Sequence, residues 1–393
     1  VEEVILLLIL VIALALFFDF TNGFHDTANA MATPIATGAM KPKVAVTLAA
    51  ILNLVGAFLS TEVAKTISSG IIREGDGGVL ISPALIFAGL IGAIVWNMVT
   101  WLYGLPSSSS HALFGGLIGA AIVGFGVNAI DYGVLLSKVV FPALLAPVTA
   151  GIVAFAATRL AYSITRRYDG RPDGRSAFRY AQIFSSSLVA LAHGTNDAQK
   201  TMGVITLALV TVGVQDSSEE GPQFWVVVVC AVAIALGTYM GGWRIIKTLG
   251  TGLTAVKPAQ GFAAETGTAA TILASSHLGF ALSTTQVASG SVIGSGLGRR
   301  GSTVRWGTAG RIAIGWLLTL PSAAVVGAIA AAIASVGLWG VMIDAVLGLG
   351  FIIFIFVRSM QDQVGHHNVV SEVAASGEAV DIKRNPTSKR SGR

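Results

Sequence analysis

The sequence predicts an all-α polytopic membrane protein of two inverted-topology repeats, with about ten to twelve membrane segments, and three observations carry that prediction. Of 393 residues, 53% are hydrophobic and only 11% are charged. A soluble domain keeps its surface hydrated with about 25% charged residues, so a large soluble helical protein is excluded. Polar motifs recur inside otherwise apolar stretches: Gly23-Phe24-His25-Asp26 returns as Gly194-Thr195-Asn196-Asp197, 171 positions later. The basic residues cluster so that the two copies enter the membrane from opposite sides.

The first apolar run, Val4 to Phe18, follows Glu2 and Glu3 rather than basic residues. No small-residue cleavage site follows it, so it reads as a retained span and not a signal peptide. Lys41 and Lys43, then Arg159, Arg166, Arg167, Arg171, Arg175 and Arg179, then Arg299, Arg300 and Arg305 mark the cytoplasmic side. Glu74 and Asp76, Asp131, and Asp216, Glu219 and Glu220 fall in the intervening outer loops. Between these anchors, residues 4–20 run inward and are followed by turns at Pro34 and Pro42. Segments 44–61, 84–102, 107–125 and 134–158 then alternate, and 134–158 descends to a basic linker at 159–180. The second half rises from about 180 to an acidic loop at 215–222 and continues through 224–242, 259–278, 281–298, 307–334 and 336–357. The expected division is a first repeat at 1–158, a cytoplasmic linker at 159–180, a second repeat at 181–357, and a polar, disordered tail at 358–393.

The halves match beyond the aspartate motifs. With a shift of 175, Pro83-Ala84 meets Pro258-Ala259, Phe87-Ala88 meets Phe262-Ala263, and Ser110 meets Thr285. Gly115 meets Gly290, and Gly119 meets Gly294. Inverted repeats of this kind place solute sites at their interface near mid-membrane.

Ionisable groups in a span cost about 2.5–3.5 kcal/mol on insertion scales and mark functional sites. Asp26 and Asp197 sit among Asn22, Asn29, Asn196 and threonines, a donor set that suits Na⁺; either carboxylate could carry a proton instead. The alternative is that each aspartate caps a broken helix. Glu265 is a third intramembrane carboxylate; its counterpart is Leu90, so its role is asymmetric. Lys200 either pairs with a carboxylate or snorkels to an interface.

Ser107 to Ser110 follow Pro106, and Ser283, Thr284 and Thr285 interrupt an apolar run. If Ser108–His111 and Ser283–Gln286 open two helices, their amides and hydroxyls converge as a site for a tetrahedral oxyanion. Otherwise these residues only cap and join helices. His25 and His111 match Asn196 and Gln286, which points to neutral hydrogen bonding rather than proton transfer. The lone Cys230 rules out a disulfide within the chain and a thiolate metal cluster. No phosphate-binding loop for a nucleotide is present, and the net charge of +5 is spread as topology markers rather than as a nucleic-acid surface.

These motifs carry a family resemblance. Residues 23–30 and 194–200, Leu105-Pro106-Ser107-Ser108-Ser109-Ser110-His111, and Ser283-Thr284-Thr285-Gln286 resemble the paired signatures of the inorganic phosphate transporter (PiT) family. The resemblance covers roughly 4–357 and implies a secondary transporter, not an enzyme, in the plasma membrane. It implies re-entrant helical hairpins and often a dimer. Phosphate would bind at hairpin tips formed by Ser108, Ser109, Ser110, Ser283, Thr284 and Thr285, with His111 and Gln286 beside them. Asp26 and Asp197 would couple Na⁺, or H⁺ in some members, and no cofactor is implied. Sulfate uptake is a minor alternative, and a passive anion channel fits poorly with so acidic a set of buried groups.

Overall fold

The apolar runs form helices, and three of the long ones continue through an internal proline, Pro34, Pro147 or Pro321. The computed structural model describes residues 2–70, 81–164, 172–216, 221–280, 282–361 and 364–374. Within these, α1 (Glu2–Ala36), α2 (Pro42–Gly56), α3 (Glu62–Gly70), α4 (Pro83–Leu102) and α5 (Ser109–Phe125) form the first group. A short α6 (Tyr132–Val134) passes through a π-helical turn into α7 (Phe141–Ile164). The second group begins with α8 (Pro172–Thr211), α9 (Phe224–Met240) and α10 (Trp243–Lys247). It continues with α11 (Pro258–His277), α12 (Thr284–Gly298), α13 (Trp306–Ala334) and α14 (Leu338–Ser359). Arg166, Arg167, Arg171, Glu74, Asp76, Glu219 and Glu220, used above as topology markers, lie outside the described residues.

Helix starts follow local chemistry. Pro42, Pro83 and Pro258 each sit in the first turn, where a missing N–H costs nothing. Ser108 caps α5 by accepting from His111 N at 3.2 Å, and Ser283 caps α12 by accepting from Gln286 N at 3.3 Å.

Two expectations are corrected. Neither aspartate motif breaks its helix: α1 runs on to Ala36 through Gly23 and Asp26, and α8 runs through Gly194 and Asp197. The Gly23 oxygen accepts from the Thr27 hydroxyl at 2.7 Å. Among the described residues, five helical runs are long and apolar enough to cross a membrane, or six with the bent pair Phe224–Met240 and Trp243–Gly252. The shortfall against ten to twelve has a physical reason. A 15-residue helix such as α2 or α12 spans only about 22 Å of the roughly 30 Å hydrocarbon core. The longer α8 and α11 carry polar side chains that face other helices instead of lipid.

Glycines decide how the halves meet, and each contact occurs twice with the halves exchanged. A Cβ at Gly23 of α1 would lie 2.3 Å from Ile234 O of α9, and one at Gly194 of α8 would lie 2.2 Å from Asn53 O of α2. Gly115 and Gly119 of α5 seat against Leu320 O and Ala324 O of α13 at 2.4 and 1.9 Å. Gly290 and Gly294 of α12 seat against Pro147 O and Gly151 O of α7 at 2.2 and 2.0 Å. Each half therefore completes the packing of the other, with backbones as close as small residues permit.

After α14 the chain turns back instead of trailing away as expected. Residues 369–374 are helical, Val369 and Val373 are buried, and Lys247 Nζ pairs with Glu372 at 2.5 Å.

Replacing Gly294 with alanine should push α12 off α7 and cost about 1–3 kcal/mol. Thermal unfolding of the detergent-solubilised protein should show a lowered midpoint. Gly310→Ala, which meets nothing within 4 Å, should leave the midpoint unchanged or slightly raised.

Candidate functional site

The close glycine contacts bring the two aspartate helices together at the centre. Asp26 of α1 and Asp197 of α8 are fully buried, and His193, one turn before Asp197, lies between them. Its Nε2 is 3.0 Å from Asp197 Oδ2 and 3.8 Å from Asp26 Oδ2. Ligand atoms of Asp26, His193 and Asp197 all fall within 4.8 Å of one another, close enough to share one ion. On the far side of its ring, His193 Nδ1 lies 3.2 Å from Asn53 Oδ1, and Asn53 Nδ2 donates to Thr238 Oγ1 at 2.7 Å. That chain of contacts holds the imidazole in place.

The two hydroxyl-rich tips close on this group. Thr284 Oγ1 lies 3.2 Å from both Asp26 Oδ2 and Asp197 Oδ2, and Thr285 Oγ1 lies 3.2 Å from Asp26 Oδ1. From the other tip, Ser109 Oγ reaches Asp26 Oδ2 at 3.4 Å, and Ser110 Oγ donates to Leu282 O at 3.2 Å. Asn29 Nδ2 donates to Thr285 Oγ1 at 3.1 Å, while its Oδ1 is buried with no partner. His25 Nδ1 lies 2.6 Å from Asp26 Oδ1. On its other side, His25 Nε2 sits 3.4 Å from the hydroxyls of Thr100 and Ser107.

Lys200 is the strongest charge here. It is 0% exposed, pairs with Asp197 and donates to Leu282 O at 3.3 Å, so of the two readings of this lysine the pairing is the one realised. A buried ammonium is tolerable only when so matched.

Other residues singled out in the sequence lie apart. Glu265 accepts from Ser185 Oγ at 2.6 Å, from Gln182 Nε2 at 3.3 Å and from Thr33 Oγ1, forming a separate buried polar group on α11. Asn196 donates to Ser276 Oγ at 2.9 Å instead of touching Asp197. Asn22 is 0% exposed and neither of its polar atoms has a partner. His111 and Gln286 line an apolar cleft with Trp316, Pro147 and Pro321. His193 and Asn53 are site residues that the sequence reading missed. For His193 a signal was available: His193, Asp197 and Lys200 follow i, i+4 and i+7 spacing on one helical face.

The sequence profile of the phosphate transporter family matches residues 22–171 and 165–327. The chain belongs to this family. It is 55% identical over 367 residues to a probable low-affinity inorganic phosphate transporter of Mycobacterium leprae, covering 92% of this chain and 87% of the relative. Similarly described proteins of Rhizobium meliloti and Bacillus subtilis are 45% and 43% identical, over 82% and 84% of this chain and 95% and 97% of theirs. A solved structure described as the sodium-dependent phosphate transporter shares the fold with a TM-score of 0.74 at 24% identity. It covers 84% of this chain and all of its own. The family is one of transporters and not of enzymes.

Removing one partner of the central ion pair should be costly. Lys200→Met should destabilise the protein by about 3–5 kcal/mol, because one partner of a buried ion pair is left without the other. The double variant Lys200→Met/Asp197→Asn should recover part of the loss, as read by thermal unfolding.

Proposed function

We propose that this protein carries inorganic phosphate across the plasma membrane by Na⁺-coupled secondary transport, with two inverted repeats giving alternating access. The carrying observation is that the Thr284 hydroxyl lies within donating distance of both the Asp26 and the Asp197 carboxylate, and the Thr285 hydroxyl within donating distance of Asp26. A hydroxyl donates one proton at a time. While it donates to a carboxylate, it is unavailable to an anion. A Na⁺ held by Asp26, Asp197 and the unpartnered oxygen of Asn29 takes over those carboxylate oxygens and offsets their charge. The hydroxyls of Thr284, Thr285 and Ser109 then turn toward phosphate, together with the amides at the N-termini of α5 and α12. Cation binding thus prepares the anion site, and loss of either ligand restores the hydroxyl–carboxylate bonds. The relatives' description as inorganic phosphate transporters supports the substrate. The exchanged pairing of α1 with α9 and α8 with α2 supports the repeat and the rocking motion it allows. The topology follows from the basic clusters, with Arg299 and Arg300 inside.

H⁺ coupling is a second reading, favoured by the position of His193 between the two carboxylates. A proton on that imidazole would offset the same charge without a metal ion.

Phosphate uptake into proteoliposomes under imposed Na⁺ or H⁺ gradients tests both. Uptake should follow the Na⁺ gradient, and Asp26→Asn and Asp197→Asn should each reduce it at least tenfold. Accumulation driven by pH alone would replace Na⁺ with H⁺. Accumulation indifferent to both gradients would end the symport reading.

A further inference from the structure

The seam between α7 and α12 carries two adjoining cavities that the mechanism above does not use. The first, of about 590 Å³, is an apolar groove between Val148, Ile152 and Phe155 of α7 and Ile293 and Leu297 of α12. Val148, Ile152 and Leu297 are exposed there. Trp306, also in the lining, is exposed at the start of α13, where an interfacial tryptophan belongs. The second cavity, of about 630 Å³, begins one turn further along α7 and is lined by Arg159, Leu160, Arg299 and Arg300. The two meet at Phe155, whose ring centroid lies 5.2 Å from the Arg159 guanidinium, and at the consecutive residues Leu297 and Gly298, which line one cavity each.

Arg299 donates to Gln260 Oε1 at 3.2 Å and lies 5.9 Å from the Tyr162 ring, which leaves most of its N–H donors for another partner. Among the described residues no carboxylate lines this cavity, so three positive charges border one space without an opposite charge. Membrane topology requires only that basic residues lie on the cytoplasmic side. It does not require two helices to gather them around one cavity beside an apolar groove. Guanidinium groups so gathered suit a phosphate group, which they bind through paired N–H donors. The groove adds that the occupant also carries hydrocarbon. From Pro147 to Arg159 the axis of α7 rises about 18 Å. One leaflet's half of the hydrocarbon core is about 15 Å. We propose that this seam is a site for an anionic phospholipid of the inner leaflet. Its headgroup phosphate sits among Arg159, Arg299 and Arg300, and an acyl chain lies along α7 and α12. Basic pockets between helices on the cytoplasmic side take anionic headgroups in this way. Soluble phosphate shares the headgroup's charge but has nothing to place in the groove. A lipid seated here touches the helix whose other end presents Thr284 and Thr285 to the carboxylates, so it steadies α12 without entering the transport site.

The site holds whichever ion drives uptake, and native mass spectrometry of the purified protein with added phosphatidylglycerol or phosphatidylcholine tests it. The protein should retain phosphatidylglycerol and not phosphatidylcholine. The double variant Arg159→Gln/Arg300→Gln should weaken phosphatidylglycerol binding about thirtyfold, at about fivefold per basic residue near an anionic surface. Ile152→Trp, which fills the groove and leaves every charge in place, should weaken it as well. Phosphatidylglycerol should raise the thermal unfolding midpoint of wild type but not of the double variant. Equal retention of the two lipids, or phosphatidylglycerol retention unchanged in either variant, overturns the proposal. Excess inorganic phosphate should leave the lipid bound; displacement by phosphate would make the cleft a soluble-phosphate site instead. If no lipid is retained and the variants shift the balance of monomer and dimer in the same spectra, a second copy of the chain covers the seam and the proposal falls. Should the double variant not fold, Ile152→Trp decides by the same readout.

Discussion

The hydroxyl of Thr284 touches a carboxylate from each half of the chain, and the rest of the centre is arranged around that shared contact. Asp26 and Asp197 are like charges held close together in a dry interior, a situation that is strongly unfavourable without donors and counter-charges. His193, Lys200, Thr284 and Thr285 supply them, and each comes from an element that the glycine contacts have pressed into place. Loosening the helix packing would separate donors from acceptors. Removing the donors would leave the packing to enclose uncompensated charge.

This mutual dependence explains why the membrane signal of the chain is uneven. α13 and α14 expose apolar side chains such as Leu317, Leu318, Val346 and Leu347 and read as ordinary spans. The helices α8, α11 and α12 are richer in serine, threonine and glycine because they face protein on most sides. Polar groups such as Ser185 of α8 and Glu265 of α11 find their partners inside the protein, which is the condition for placing them at membrane depth.

A transporter needs a site that holds its ligands without trapping them. Neutral hydroxyls and amides do this for an anion better than fixed arginines, whose field would retain it. Among the described residues the arginines nearest the helix ends, such as Arg244, Arg299 and Arg305, are engaged at the periphery rather than at the centre. The central positive charge is a single lysine, already committed to Asp197.

The sequence by itself determined that the chain is helical and membrane-embedded, that its two halves correspond, and that the two aspartates and the hydroxyl clusters belong together. These properties are written in composition, spacing and recurrence, which are local or periodic and survive without coordinates. Helix boundaries such as 84–102 and 307–334 were legible for the same reason, since proline, serine and glycine act on their immediate neighbours. Only the tertiary structure decided that α1 and α8 stay continuous through their motifs, where Gly23 and Gly194 let α9 and α2 approach closely. It alone brought His193 and Asn53 beside the two aspartates and placed His111 and Gln286 in the lining of an apolar cleft. A helix presents different residues to different neighbours, and which neighbour lies on which side is set by long-range packing that no short stretch of sequence contains.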